Sequence, residues 1–167
     1  MSLVIIDESR KSDVLILLEL LNQRKLPLIG SGYTANVYKY NDLAIKVLNA
    51  EAEDFDEEEL CRMTLKEAEV MYRLQNSQYT PKLVAFDEMN FIIVMQFIDG
   101  MILNDVDDNT ILKNFNDHYK IFKEECVLAD IYPEDLNERN IIVRDGKFVF
   151  IDFGYYSVGG IDEEDDW

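Results

Sequence analysis

Histidine is nearly missing from this chain: a single residue, His118, stands among 167. That leaves Ser-His-Asp triads and multi-histidine metal sites almost without material. His118 itself, alone in the helical segment ILKNFNDHYKIFKEE, is expected to be structural. Cysteine is scarce too, and Cys61 and Cys126 share no Cys-x-x-Cys spacing, which argues against a disulfide scaffold or zinc site and fits buried free thiols in a reducing cytoplasm. Positive charge is outweighed, with 16 Lys and Arg against 34 Asp and Glu for a net −18. The clustered cations that bind a phosphate backbone are therefore absent, and nucleic acid is not an expected partner. A basic protein substrate is the class of partner that this charge suits. No run of eighteen apolar residues occurs, and MSLVIIDESRKSD has no basic segment ahead of a long apolar core, so neither a membrane span nor a signal peptide is expected. There is no internal repeat and no proline- or serine-rich linker.

What remains is a chain that is 48% hydrophobic and 11% aromatic, enough to bury a core in one compact domain or two small lobes. Much of the acidity lies in two runs, Glu51 to Glu59 and Asp162 to Asp166, read as solvated loop or tail. Residues Lys11 to Gln23 carry DVLILLELLNQ, one short packing helix. From Leu26 the pattern changes to short β-type runs, LPLIG, NVYKY and LAIKVL, separated by Gly-Ser-Gly and Asn-Asp turns. ELCRMTLKEAEVMYRLQN then reads as a helix, and KLVAFDE with FIIVMQF as a hairpin. Asp99-Gly100 breaks the chain and looks like a hinge. Beyond it come a short helix near Leu103 to Asp107, a longer one from about Thr110 to Leu128, and the strands IIV and KFVFID around Arg144-Asp-Gly.

Three groups of residues carry chemistry. Gly30-Ser31-Gly32 falls between two strands, where a glycine-rich hairpin lets backbone amides approach a triphosphate, although a plain β-turn looks the same. Lys46 interrupts the apolar strand LAIKVL, so its ammonium needs a partner, and Glu67 on the following helix faces the core side. Asp135, Asn140 and Asp152 fall at strand and loop ends in DLNERN and IDFG, and their oxygens suit magnesium.

The succession GSGYTANV, AIK, KEAEVMYRL, VMQFIDG, DLNERN and IDFG resembles the protein kinase set of glycine loop, strand lysine, helix-C glutamate, hinge, catalytic loop and magnesium aspartate. The likeness covers about residues 26 to 156 and is nearest to small members: bacterial effector and phage-type mini-kinases, and Bud32-type and RIO-type atypical kinases. It implies an α+β, two-lobe fold: a helical segment over 1–25, an N-lobe with hinge over 26–97 built of five antiparallel strands and helix C, and a truncated helical C-lobe over 98–167. It implies ATP and Mg2+ as cofactors. Lys46, held by Glu67, would grip the α- and β-phosphates, Asn140 and Asp152 would bind magnesium, and Asp135 would orient the acceptor hydroxyl. The backbone around Gln96 to Ile98 would bond adenine, Met95 would stand behind it, and Val37, Ala44 and Ile142 would sandwich the ring.

Four departures matter. Ala35 replaces the third loop glycine, and Pro133-Glu134 stand where the family has His-Arg, so ordering of an activation loop by phosphate is not expected. Asn137 replaces the lysine common in serine/threonine kinases. No Ala-Pro-Glu segment follows Gly154, and the expectation is one of three: a natively minimal C-lobe, a chain cut short, or a partner that completes the short C-lobe. The expected activity is phosphoryl transfer to a serine or threonine hydroxyl on a protein. The alternatives are a pseudokinase that binds nucleotide or a partner and, further off, a small-molecule kinase.

Overall fold

Alternation of side chains across strands decides where this chain puts its core. The computed structural model describes residues 2–50, 55–134 and 136–160. By its internal contacts the chain divides into two units, Met1–Ala68 with Lys82–Phe97, and Glu69–Pro81 with Ile98–Trp167. The division falls inside one helix, after Ala68.

The first unit is built on an antiparallel sheet of β1 (Val4–Ile5), β2 (Leu28–Ser31), β3 (Ala35–Tyr40), β4 (Leu43–Leu48), β5 (Leu83–Asp87) and β6 (Ile92–Gln96), in the order β1-β5-β6-β4-β3-β2. The five expected strands are present, and β1 adds a sixth by pairing with β5, Val4 opposite Phe86. Residues opposite one another in antiparallel register share a face. Tyr38, Ile45, Val94 and Ala85 therefore line one side of the sheet. Helix α1 (Lys11–Asn22) covers that side, with Val14 and Leu17 fully buried against Leu43, Ile45, Val84 and Val94. The leucine-rich segment is thus part of this unit's core. Arg10, just before α1, makes two hydrogen bonds to Asp42 in the β3–β4 turn, at 2.9 and 2.7 Å. Helix α2 (Glu57–Arg73) starts at Asp56, whose carboxylate accepts from the Glu59 amide at 2.9 Å, and its three glutamates in the first turn complement the helix dipole.

The second unit is held by aromatic packing. Helix α3 (Asn109–Leu128) begins where Asp108 accepts from the Thr110 amide at 2.8 Å, and it buries Phe122 and Cys126. The expected helix near Leu103 is a single 3-10 turn, Leu103–Asp105. Val106 turns back to extended backbone and donates to the Leu103 carbonyl, which stops the helix there. Strand β7 (Met101–Ile102) pairs with β9 (Ile141–Arg144), which pairs with β10 (Lys147–Phe150), and β8 (Ile131–Tyr132) pairs with β11 (Ser157–Val158). Phe122 stacks on Phe150 at 4.0 Å, and Tyr79 meets both rings edge-on. His118 belongs to this cluster, 5.2 Å from the Phe148 ring, with Nδ1 3.2 Å from the Tyr79 hydroxyl, which is a packing role. The β9–β10 turn runs through Asp145 and Gly146, both with positive φ (52° and 71°), as a tight two-residue hairpin requires.

Both cysteines are free. Cys126 is buried, and desolvation pushes its thiol up to about 12, so it is unreactive. Cys61 is only half-buried, short of the burial expected for it. No helix among the described residues is long and apolar enough to cross a membrane.

Candidate active site

Lys46 lies at the centre of β4, opposite Val37 on β3 and Ile93 on β6. Its strand neighbours are apolar and it is only 6% exposed, so the ammonium could not be carried there without a counter-charge. Glu67 on α2, 1% exposed, supplies it: Nζ donates to Oε1 at 3.0 Å and to Oε2 at 2.7 Å. The sheet register places Gly30, Val37, Ala44 and Met95 on the same face as Lys46, the face away from α1. Three of the residues expected around an adenine ring thus share one surface with Lys46. Ala44 and Met95 are buried and Val37 is half-buried.

The glycine loop follows this face. Ser31 Oγ bonds Asn36 Oδ1 at 2.8 Å, and the Gly32 amide donates to the Ala35 carbonyl at 2.9 Å. The Asn49 amide donates to the Thr34 carbonyl at 2.8 Å, tying the loop to the end of β4. Neither Gly30 nor Gly32 has positive φ. A Cβ at Gly30 would meet only the Val37 side chain at 3.7 Å, and one at Gly32 only the Ala35 carbonyl at 3.8 Å, both ordinary contacts. The fold does not require glycine at either place. Gly30→Ala and Gly32→Ala should therefore leave the thermal midpoint nearly unchanged while weakening nucleotide binding, as titration calorimetry would show; lost stability with intact binding would make this a plain turn.

Of the backbone expected at adenine, Gln96 to Ile98, the Gln96 amide already donates to the Lys82 carbonyl at 2.9 Å and the Phe97 amide to the Asp42 carbonyl at 2.8 Å. Sequence reading also missed Lys39, whose ammonium lies 4.0 Å from the centroid of the Phe97 ring. The alternation of Val37 and Lys39 on one face of β3 was its only trace.

In the second unit, Asn137 caps a 3-10 turn, Glu138–Asn140, its side chain accepting from the Arg139 amide at 3.0 Å. The Asn140 carbonyl accepts from the Ile151 amide at 2.9 Å, just past the end of the β9–β10 ladder. Asn140 is thereby tied to the residue preceding Asp152. Asp152 has φ +67°, a left-handed conformation that sharply turns the chain after β10. Ile142 is half-buried between buried Ile141 and Val143, so it points away from the face those two fill. Asp135 lies outside the described residues. Glu134, in the place of the family arginine, accepts a hydrogen bond from the Ser157 hydroxyl and so steadies β11. Arg73, a second residue that sequence reading missed, donates to the carbonyls of Ala129 and Gly159, both at 3.1 Å. Among the described residues no group of three His, Cys, Asp or Glu is placed to hold a metal. One amide oxygen and one carboxylate, Asn140 and Asp152, do fit an ion that takes few protein ligands and keeps its waters.

The RIO domain family matches residues 35–158, and the chain belongs to that family. It is 28% identical over 149 residues to the KEOPS complex subunit Bud32 of Pyrococcus abyssi (strain GE5 / Orsay), an alignment spanning 77% of this chain and 66% of that protein. The Rio2 kinase of Chaetomium thermophilum, solved as an ADP/Mg2+-phosphoaspartate complex, superposes with a TM-score of 0.63 at 17% identity, covering 94% of this chain and 59% of the other. A second structure of that kinase gives 0.57 at 18% identity, covering 87% of this chain and 54% of the other. The fold is thus that of a minimal, atypical protein-kinase-like chain, and it spans about two-thirds or less of the length of these relatives.

Proposed function

We propose that this chain is an ATP- and magnesium-dependent phosphotransferase that passes the γ-phosphate of ATP to a hydroxyl, with serine or threonine on a protein as the acceptor. The observation that carries this is the buried Lys46–Glu67 pair on the sheet face that also presents Val37, Ala44 and Met95. Phosphoryl transfer asks the protein mainly to position reactants and balance charge, and this inventory is of that kind. Lys46 holds the α- and β-phosphates, and Glu67 fixes the ammonium in one place. Because Gln96 and Phe97 already donate elsewhere, the Gln96 carbonyl and the Ile98 amide are the groups assigned to adenine. Asn140 and Asp152 would hold magnesium, which when bound neutralises charge on the phosphates. Asp135 orients the acceptor hydroxyl.

The functional division follows: 1–25 supports the sheet, 26–97 takes the nucleotide, and 98–167 takes metal and acceptor. The Bud32 relative is a KEOPS complex subunit and the Rio2 relative was solved with ADP and Mg2+. These relatives support a nucleotide cofactor and a protein partner; we add that the partner completes the acceptor surface, in a cytoplasmic setting. Thermal unfolding with and without Mg-ATP tests the reading. A ligand that binds only the folded state stabilises it by about 2.7 kcal/mol at a hundred times its Kd, so the midpoint should rise with Mg-ATP and much less with ATP and EDTA. An unmoved midpoint at millimolar Mg-ATP would refute nucleotide binding.

A further inference from the structure

One peptide group at the end of β6 is fastened from three directions. The Phe97 amide donates to the Asp42 carbonyl at 2.8 Å. That N–H and the Gln96 carbonyl belong to the same trans, planar peptide unit, so the two point in opposite directions. Whatever holds Asp42 in place therefore aims the Gln96 carbonyl away from it. Asp42 is itself held. It lies in the two-residue loop between Tyr40 and Leu43, whose first residue, Asn41, is left-handed with φ +53°. Arg10 grips the Asp42 carboxylate in a fork, with hydrogen bonds of 2.9 and 2.7 Å, while its Nε donates to Asp13 at 2.8 Å. The Phe97 side chain is fastened from β3. Lys39 stands opposite Ala44, on the same face as Val37, and its ammonium lies 4.0 Å from the centroid of the Phe97 ring.

Folding alone has little use for these contacts. The Asp42 side chain is 68% exposed and that of Arg10 26%, and ion pairs so open to water contribute little to stability. Their effect falls instead on the peptide that they hold. We propose that Arg10, Asp42 and Lys39 are positioning residues that aim the Gln96 carbonyl at the edge of the nucleotide base and so set a preference for a 6-amino purine. This inference rests on the reading that the chain binds ATP, in which the Gln96 carbonyl faces adenine. A carbonyl oxygen only accepts. Adenine offers it the N–H of its 6-amino group, whereas inosine triphosphate (ITP) carries an oxygen at that position and the same ribose and triphosphate. Discrimination between the two thus depends on how firmly the acceptor is held, because a carbonyl free to turn aside would escape the oxygen–oxygen repulsion. The N-terminal segment, through Arg10, thereby takes part in base recognition as well as covering the sheet.

Titration calorimetry with Mg-ATP and Mg-ITP reads this preference directly. The native chain should bind ATP several-fold tighter than ITP. Arg10→Ala and Lys39→Met should each weaken ATP several-fold and leave ITP nearly unchanged, with the far-UV circular dichroism of the native chain. Asp42→Asn, which keeps the backbone acceptor and loses the ion pair, should reproduce Arg10→Ala. Lys39→Arg, which keeps a cation over the Phe97 ring, should retain the native preference. An unchanged preference in Arg10→Ala or Lys39→Met would overturn the proposal. So would equal weakening of ATP and ITP, since that is general loosening of the sheet. A native chain that binds both nucleotides equally would overturn it too, while leaving nucleotide binding itself intact. A native chain that binds neither would remove the ATP reading, and this proposal with it.

Discussion

Replacing Lys46 by methionine should destabilise the protein by roughly 3–5 kcal/mol, although the new side chain is apolar and similar in length. The cause lies in Glu67. At 1% exposure it depends on the Lys46 ammonium for two hydrogen bonds, at 3.0 and 2.7 Å. Lys46→Met strips away both and leaves a buried carboxylate without this counter-charge. The same reasoning predicts that Lys46→Met with Glu67→Leu recovers most of the loss, since an apolar pair in place of a buried ion pair is often neutral or stabilising. Urea denaturation of the two single variants and the double variant completes the cycle. Additive losses, or a harmless Lys46→Met, would show that the pair is not coupled. Neither the single nor the double variant should transfer phosphate, which separates what the pair does for folding from what it does for chemistry.

The second large effect is expected at Gly100. A Cβ there would stand 2.5 Å from the Val143 carbonyl oxygen and 2.5 Å from Ile142 Cγ2. Real Cβ atoms do not approach backbone oxygen so closely, and Val143 sits in the middle of the β7-β9-β10 ladder, paired with Met101 and Phe148. The neighbour cannot rotate away, so Gly100→Ala must displace one strand from another. Overpacking of this sort costs about 1–3 kcal/mol and sometimes more. Gly100→Ala should lower the urea midpoint clearly, whereas Gly30→Ala should not. Equal effects at the two glycines would contradict the distinction between a glycine demanded by packing and one left open for a ligand.

That contrast marks how far the sequence could be read. Gly30, Gly32 and Gly100 look alike as letters, and only the register of β7 on β9 shows which of them the fold cannot replace. The Lys46–Glu67 pair was legible because a lysine in LAIKVL breaks an apolar run, and burial leaves such a charge few solutions. The long helices were legible from their spacing, whereas Asp56 and Asp108 at their starts became evident only in the structure. Strand β1 was not, because Val4–Ile5 is too short to show alternation and exists only through its pairing with β5. Strands β8 and β11, two residues each, escaped for the same reason. Arg73 was invisible because its partners are backbone carbonyls, which any residue could present. The left-handed backbone at Asp152 likewise depends on the turn after β10.

The central claim is that Lys46 and Asp152 serve one phosphoryl transfer. Asparagine is the substitution to use at Asp152, because it is isosteric and accepts φ near +67° better than most residues. Incubation with γ-labelled ATP and magnesium, with the protein alone and with generic protein substrates, compares the native chain with Asp152→Asn and Lys46→Met. The account predicts magnesium-dependent labelling by the native chain that both variants lose. Labelling by Asp152→Asn at the native level, or no native signal above the two variants, would contradict it.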